Sequence, residues 1–575
     1  MNGRQSPTNP PNGAITAPAQ HQGDVDLIVI GGGVNGTGVL RDAALRGIRA
    51  CLFERHDLAF GASGNSSGMI HGGVRYLTSN PAVTHLSCLD SGYIQRIAPH
   101  LLFRIPFLMP VASGAGSRVW LTLLDAFFGV YDRYQPLKRG MPHTRLSASD
   151  VRAIEPGLCG DLVGAVSFDE WGIDGARLCV ANAVDAHERG AMVRTHTSVE
   201  SIRASRDHPH LLQVQWRDML TSRSGICSGK IVVNATGAWA PLTACCAKLA
   251  PATAPVRPGK GIHVVLDRRL SNYAIATRSI DARQVFLEPW QNVSLLGTTD
   301  TDYYGELDDV RASSDEVRYL IEALARVFPP IRQARAIDTL AAVRPTLYRY
   351  GPIPDKLSRE HEILDHNNDG VDGMYSMIGG KLASYRIFAE QMTDIVARRL
   401  NNPRPCVTHQ CPLPGGEQTI DERTLPMLDP VSARRLIYRH GTRARRIAKR
   451  FCDDSTTGKR RMLCPCEAIT YEEAAYVIEH EFVRTVGDLS RRLRLGRGPC
   501  GGMHCVMQAS ALVAERLGMR HHDAITQGLR HLREGARRRS VAMTPQQVRQ
   551  EQLLLDVLRS QLGLKDWHEE EACER

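Results

Sequence analysis

Residues 25–54 constrain the fold of this chain more than any other stretch. The apolar run Val25-Asp26-Leu27-Ile28-Val29-Ile30 leads straight into Gly31-Gly32-Gly33-Val34-Asn35-Gly36, then into the helix-like TGVLRDAALRG and a second apolar run, ACLFE. A strand, a glycine turn opening a helix, and a second strand predict a βαβ unit whose turn cradles a dinucleotide. Gly31 permits the tight turn, Gly33 lets the backbone approach a pyrophosphate, and Gly36 allows close helix–strand packing. The helix N-terminus then faces the phosphate charge. Glu54 closes the second strand, eighteen positions past Gly36, placed to accept hydrogen bonds from a ribose.

The following segments favour FAD over NAD. Gly61-Ala62-Ser63-Gly64-Asn65-Ser66-Ser67 is a small-residue loop able to pack against a larger cofactor, with Ser63, Ser66 and Ser67 offering hydroxyls. A second strand-turn, Val232-Val233-Asn234-Ala235-Thr236-Gly237-Ala238-Trp239, is suited to close over the same dinucleotide through Thr236 and Gly237.

A length of 575 residues exceeds one ordinary core, so two or three domains are expected. Residues 1–24 read as a disordered tail. Residues 25–400 read as an oxidoreductase body with interleaved cofactor and substrate domains, its strands at Leu211–Trp216, Lys230–Asn234, Gly261–Leu266, Val293–Gly297 and Tyr375–Ile378, and helices at Ala176–Glu188 and Ser313–Val327. Beyond Asn401-Asn402-Pro403 come a helical basic linker (401–460), a cysteine-bearing domain (461–520) and a helical end (521–575). The fold class is therefore α/β, with a Rossmann-like FAD domain, an interleaved mixed-sheet α+β substrate domain and a helical C-terminal region.

A net charge of +10 suits anionic partners: a phosphate substrate, an anionic membrane surface or nucleic acid. The fifteen cysteines are scattered, and no apolar leader opens the chain, which favours a reducing cytoplasm with free thiols or metal ligands. No run is long enough to span a membrane. The nearest, Val119–Tyr131, is interrupted by Asp125 and reads as a buried helix in preference to one lying on a membrane surface.

Six segments in order, DLIVIGGGVNGTGVLRDAALRG, SSGMIHGGVRYL, VVNATGAW, LLGTTDTDY, AAVRPT and GGKLASYR, resemble the FAD-dependent glycerol-3-phosphate dehydrogenases of the D-amino-acid-oxidase-like flavoprotein superfamily. The resemblance covers roughly residues 25–400. It implies oxidation of sn-glycerol 3-phosphate to dihydroxyacetone phosphate, with Arg75, Tyr76, Arg344, Arg359 and Lys381 lining the substrate pocket and Gly380 and Lys381 near the cofactor. Arginines that bind a phosphate bidentately and a lysine acting as a point charge suit such a dianion. A general base with a pKa near working pH points to histidine. His263 in GKGIHVV is preferred, with His71 in IHGG as the other candidate.

Near the end of the chain stand Cys464-Pro465-Cys466, Cys500 and Cys505, spaced C-x-C-x33-C-x4-C. Four thiolates can hold a [2Fe–2S] cluster. Zinc also accepts four cysteines, although structural zinc sites usually use wider C-x2-4-C knuckles, and unliganded thiols are the third possibility. The spacing and the flanking LCPCEAIT and RRLRLGRGPCGGMHC resemble the bacterioferritin-associated-ferredoxin-like [2Fe–2S] domain that ends the anaerobic glycerol-3-phosphate dehydrogenase large subunit. Residues 96–134, by contrast, look like the aerobic, membrane-associated enzyme. The resemblance thus implies that the electron acceptor is quinone or a redox partner subunit. It also implies a peripheral position on the cytoplasmic face of the inner membrane, and a homodimer or hetero-oligomer. A 2-hydroxy acid or amine substrate is the alternative within the superfamily. A redox-sensing nucleic-acid-binding protein, argued from Arg434–Arg450 and Arg537–Arg539 alone, is a remote one, and nucleic acid is not expected as a partner.

Overall fold

The computed structural model describes residues 24–78, 80–351, 361–453 and 462–563. At its centre are β1 (Val25–Ile30), α1 (Val34–Leu45) and β2 (Ala50–Phe53). Strand β1 pairs in parallel with β2 on one side and with Ser224–Asn234 on the other. Leu27, Ile28 and Val29 are fully buried, the continuous apolar pattern of a parallel strand covered on both faces. A Cβ on Gly36 would lie 2.0 Å from the Gly31 carbonyl oxygen, so only glycine lets α1 start this close to β1.

Among the described residues this sheet has eight strands, flanked outward by Met192–Arg194 at one edge and by Met374–Gly379 and His361–Asp365 at the other. The strands Thr197–Ala204 and Leu212–Asp218 form an antiparallel meander with Ser224–Asn234, which then runs on into the main sheet beside β1.

A second sheet, of nine strands among the described residues, supplies the substrate side. One long ladder pairs Val256–Leu266 with Ala336–Leu347, placing Arg344 opposite Gly259 and His263 opposite Leu340. The antiparallel pair Leu102–Ala112 and Leu162–Ile173 was not legible in the sequence. Pro106 and Pro110 argue against a strand there. They are tolerated because the neighbour on the other side, Ala274–Arg278, engages Phe107 and Leu108 between them.

The helix Ser117–Tyr131 corrects the expectation of a buried helix. It buries Leu121, Leu124, Phe128 and Tyr131 on one face and presents Val119, Trp120 and Leu123 on the other, each more than half exposed. Among the described residues no helix is long and apolar enough to cross a membrane.

In the C-terminal region one hydrophobic core runs from Ile420 to Leu532, gathering Leu436, Ile447, Leu463, Val477, Leu489 and Val506. Three arginines of the arginine-rich stretch are ion-paired, while Arg434, Arg445 and Arg446 stay exposed. Arg439 donates to Glu473 at 2.6 and 2.9 Å, Arg443 meets Glu188 at 2.7 Å and Arg450 meets Glu479 at 2.5 Å. These pairs stitch the tail together and to the body.

Candidate active site

Two connected cavities occupy the junction of the sheets. The first, of about 200 Å³, is lined by Gly31, Gly33, Glu54, His56, Phe60, Ser63, Thr236, Gly237 and Trp239. The second, of about 1400 Å³, holds Ser66, Ser67, His71, Tyr76, His263, Arg344, Gly380 and Lys381. Val34, Asn35, Ala62, Ser63 and Pro345 border both. Residues predicted for a dinucleotide and residues predicted for a phosphate substrate thus line one continuous space.

The dinucleotide end follows from local geometry. Gly31 has φ +109°, and a Cβ there would strike the Ala235 carbonyl at 2.7 Å. Both oxygens of Glu54 accept backbone N–H bonds, from Gly32 at 2.6 Å and from His56 at 2.7 Å, fixing the carboxylate at the base of the cavity. Burial raises its pKa, with the two amides opposing. Ser63 Oγ accepts from Val34 N–H at 3.0 Å, bracing the start of α1, and Ser66 Oγ accepts from Gly68 N–H at 3.2 Å. Thr236 donates its hydroxyl to Asn234 Oδ1 at 2.7 Å. FAD fits this cradle on one further observation: Asn35 Oδ1, buried where the two cavities meet, has no hydrogen-bond partner and is an acceptor for a ligand donor.

On the substrate side Arg344 lies folded across Gly261, where a Cβ would come within 2.2 Å of Nη2. Its guanidinium donates to Asp300 Oδ1 at 3.0 Å, Thr298 Oγ1 at 2.9 Å and the Thr299 carbonyl at 3.1 Å. Lys381 Nζ sits 4.1 Å above the Tyr76 ring, where the ring face stabilises the cation. Arg359 and the side chain of Arg75 lie outside the described residues.

The two histidines differ. His71 Nδ1 accepts the Gly73 N–H at 3.0 Å, so its neutral ring carries the proton at Nε2 and acts as a donor. His263 is buried with neither ring nitrogen hydrogen-bonded. Burial, reinforced by the Arg344 cation, drives its pKa down to about 3, leaving it neutral with a free lone pair.

Sequence reasoning missed Asn35, Thr298, Asp300, Arg278 and Arg283, all on the large cavity. LLGTTDTDY carried the signal for two of them, since Thr298 and Asp300 sit in that segment. Arg278 ends one strand and Arg283 lies just before the next, with no motif around either.

The four tail cysteines are brought together as two pairs. Cys466 and Cys500 have their sulfurs 3.8 Å apart, and the Cys505 thiol hydrogen-bonds to Cys464, lowering the Cys464 pKa to about 7. Among the described residues no three His, Cys, Asp or Glu side chains close on a common point as a single metal ion requires.

Comparison with known proteins agrees with this geometry. Residues 26–386 match the FAD dependent oxidoreductase family, and residues 406–524 match the C-terminal domain of alpha-glycerophosphate oxidase. The chain is 32% identical over 496 residues to a subunit of the anaerobic glycerol-3-phosphate dehydrogenase of Escherichia coli, covering 85% of this chain and 88% of that one. It is 31% identical over 495 residues to a glycerol-3-phosphate dehydrogenase of Synechocystis, covering 81% and 88%. The solved glycerol-3-phosphate dehydrogenase from Bacillus halodurans complexed with FAD superposes with a TM-score of 0.70 at 23% identity, over 91% of this chain and 96% of that one, and shares the fold. The chain belongs to the FAD-dependent oxidoreductase family and, within it, to the FAD-dependent glycerol-3-phosphate dehydrogenases.

Proposed function

We propose that this protein oxidises the secondary alcohol of sn-glycerol 3-phosphate to dihydroxyacetone phosphate, with FAD as its cofactor. The observation that carries the reading is the meeting of Arg344, Lys381 and an unprotonated His263 in a cavity that adjoins the dinucleotide cradle. Arg344, its geometry set by Asp300 and Thr298, presents a fixed fork to the phosphate. Lys381 adds a second cation. Bound FAD supplies a two-electron acceptor for the hydride leaving C2. His263 takes the hydroxyl proton on a ring nitrogen, and phosphate beside Arg344 offsets that cation, the lesser cause, after burial, of the low histidine pKa. His71 donates through Nε2.

A [2Fe–2S] cluster, supplying one-electron steps, is the ligand we assign to Cys464, Cys466, Cys500 and Cys505. Two thiol pairs match a binuclear centre, which takes two cysteines on each iron. The 3.8 Å separation of Cys466 and Cys500 equals the spread of two tetrahedral thiolates about an ion at roughly 2.3 Å. Electrons then reach quinone at an anionic membrane surface, directly or through the cluster or a partner subunit. The apolar face of Ser117–Tyr131 supports that surface, because Trp120, Leu123 and Phe127 also line the mouth of the substrate cavity.

The test is anaerobic titration with sn-glycerol 3-phosphate, following flavin and cluster absorbance together. Bleaching of flavin supports the activity, and bleaching of both supports an internal electron path. A bleachless titration, with 2-hydroxy acids or amines active instead, refutes the substrate. Cys466→Ser is expected to abolish bound iron and acid-labile sulfide, and a stoichiometric zinc content in the wild type would assign zinc.

A further inference from the structure

The loop 54–61 forms one wall of the smaller cavity through Glu54, Arg55, His56 and Phe60. Among the described residues, the hydrogen bonds to the buried Asp57 carboxylate all come from outside the FAD domain. The partners come from more than four hundred residues away, on the helix Val486–Leu493. Arg492 donates to both Asp57 oxygens at 2.6 Å, as a fork on a carboxylate, and Arg491 Nε adds a bond at 2.8 Å. Arg492 and Asp57 are completely enclosed. The Arg491 guanidinium also lies 5.6 Å over the ring of Phe60, and Phe60 in turn stacks on His56 at 4.0 Å.

A second contact grips the same loop from its other side. Asp488, on that helix, pairs with His196 at 3.0 Å, and the His196 backbone N–H donates to the His56 carbonyl at 2.6 Å. The loop that carries the ribose carboxylate Glu54 is therefore clamped at Asp57, Phe60 and His56 by one helix of the cysteine-bearing region. The helix ends at Leu493, and the chain beyond it runs through Gly496 and Gly498, where a Cβ on Gly498 would lie 2.4 Å from Cys466 Cβ.

We propose that Arg491 and Arg492 are positioning residues for the dinucleotide, acting through Asp57 and Phe60, so that the tail is a working part of the cofactor site. The proposal rests on the FAD reading of the cavity and goes beyond it in assigning residues that do not touch the cofactor.

The test is FAD affinity, measured by quenching of flavin fluorescence on titration into full-length apoprotein. Arg492→Met and Asp57→Asn are expected to weaken FAD by about ten- to a hundredfold, as outer partners of a ligating group do at metal sites, and Arg492→Lys to recover part of the loss. The control is Arg538→Met. It breaks another ion pair between body and tail, Arg538 with Asp338 at 3.0 Å, that does not involve Asp57, Arg491 or Arg492, and it is expected to hold FAD within about twofold of wild type. Unchanged affinity in Arg492→Met overturns the proposal. So does an equal loss in Arg538→Met, which would mean general loosening between tail and body. Where Arg492→Met does not fold, the partly exposed Arg491→Met decides: a loss of about threefold supports the proposal, and wild-type affinity overturns it. Failure of the wild type to bind FAD would instead sink the cofactor assignment itself.

Discussion

The substitution Gly261→Ala isolates the role of Arg344 without removing any charge. Gly261 lies mid-strand, without a left-handed φ, so alanine suits its backbone. The added Cβ would stand 2.2 Å from Arg344 Nη2 and 2.5 Å from Cζ. The strand is pinned by its ladder to Ala336–Leu347, so the guanidinium, the free end of a flexible side chain, is what yields. It must retreat by roughly 1 Å, and a displacement of that size in a positioning group costs about a hundredfold in rate. The stability change is small. Less backbone freedom in the unfolded chain contributes about 0.4–1 kcal/mol, offsetting one or two weakened bonds to Asp300 and Thr298 at about 1 kcal/mol each. The expected result is a fall of about a hundredfold in kcat/KM for sn-glycerol 3-phosphate, with FAD retained and Tm within about 3 °C. The assay is steady-state turnover with a dye acceptor beside a thermal melt. A folded, FAD-loaded variant with wild-type kcat/KM refutes the assignment of Arg344 as the phosphate anchor.

Three further outcomes follow from particular contacts. His263 is held neutral to about pH 3 while the unfolded chain binds a proton there below about 6.5, so stability at this site rises with pH across that window. His263→Gln should flatten that slope in chemical denaturation at pH 4 to 6 and lower kcat by about 10²–10⁴-fold. Glu473, 1% exposed and accepting from Arg439 and His440, is held down to about pH 2. Its stabilisation is full above about pH 4.5 and lost as pH falls towards 2. Glu473→Gln leaves Arg439 without its charge partner and should cost about 3–5 kcal/mol by denaturant midpoint at neutral pH. Finally, Trp120→Glu should weaken partitioning onto anionic vesicles by about tenfold in a sedimentation assay, and unchanged partitioning would remove this helix from the membrane contact.

The first strand, the glycine turn and Glu54 were legible because each answers to a local rule: a buried parallel strand must be apolar on both faces, and the turn needs glycine where a Cβ strikes backbone. Val293–Gly297 was read to the residue for the same reason, being a short apolar run bounded by turn residues. The strand Leu102–Ala112 was missed because what permits Pro106 and Pro110 is the short reach of a neighbour remote in sequence. The helix Ser117–Tyr131 was misjudged because periodicity reveals an apolar stripe but not whether anything covers it.

Sequence by itself determined the glycine turn suited to a dinucleotide and the four closely spaced cysteines of the tail, since those follow from residue type and spacing. Only the tertiary structure decided which histidine can accept a proton, because that depends on the Gly73 amide at one ring and on enclosure of the other. It alone also joined Arg492 to Asp57. A buried arginine and a buried aspartate each look like ordinary charged residues until folding removes water from both and sets them face to face.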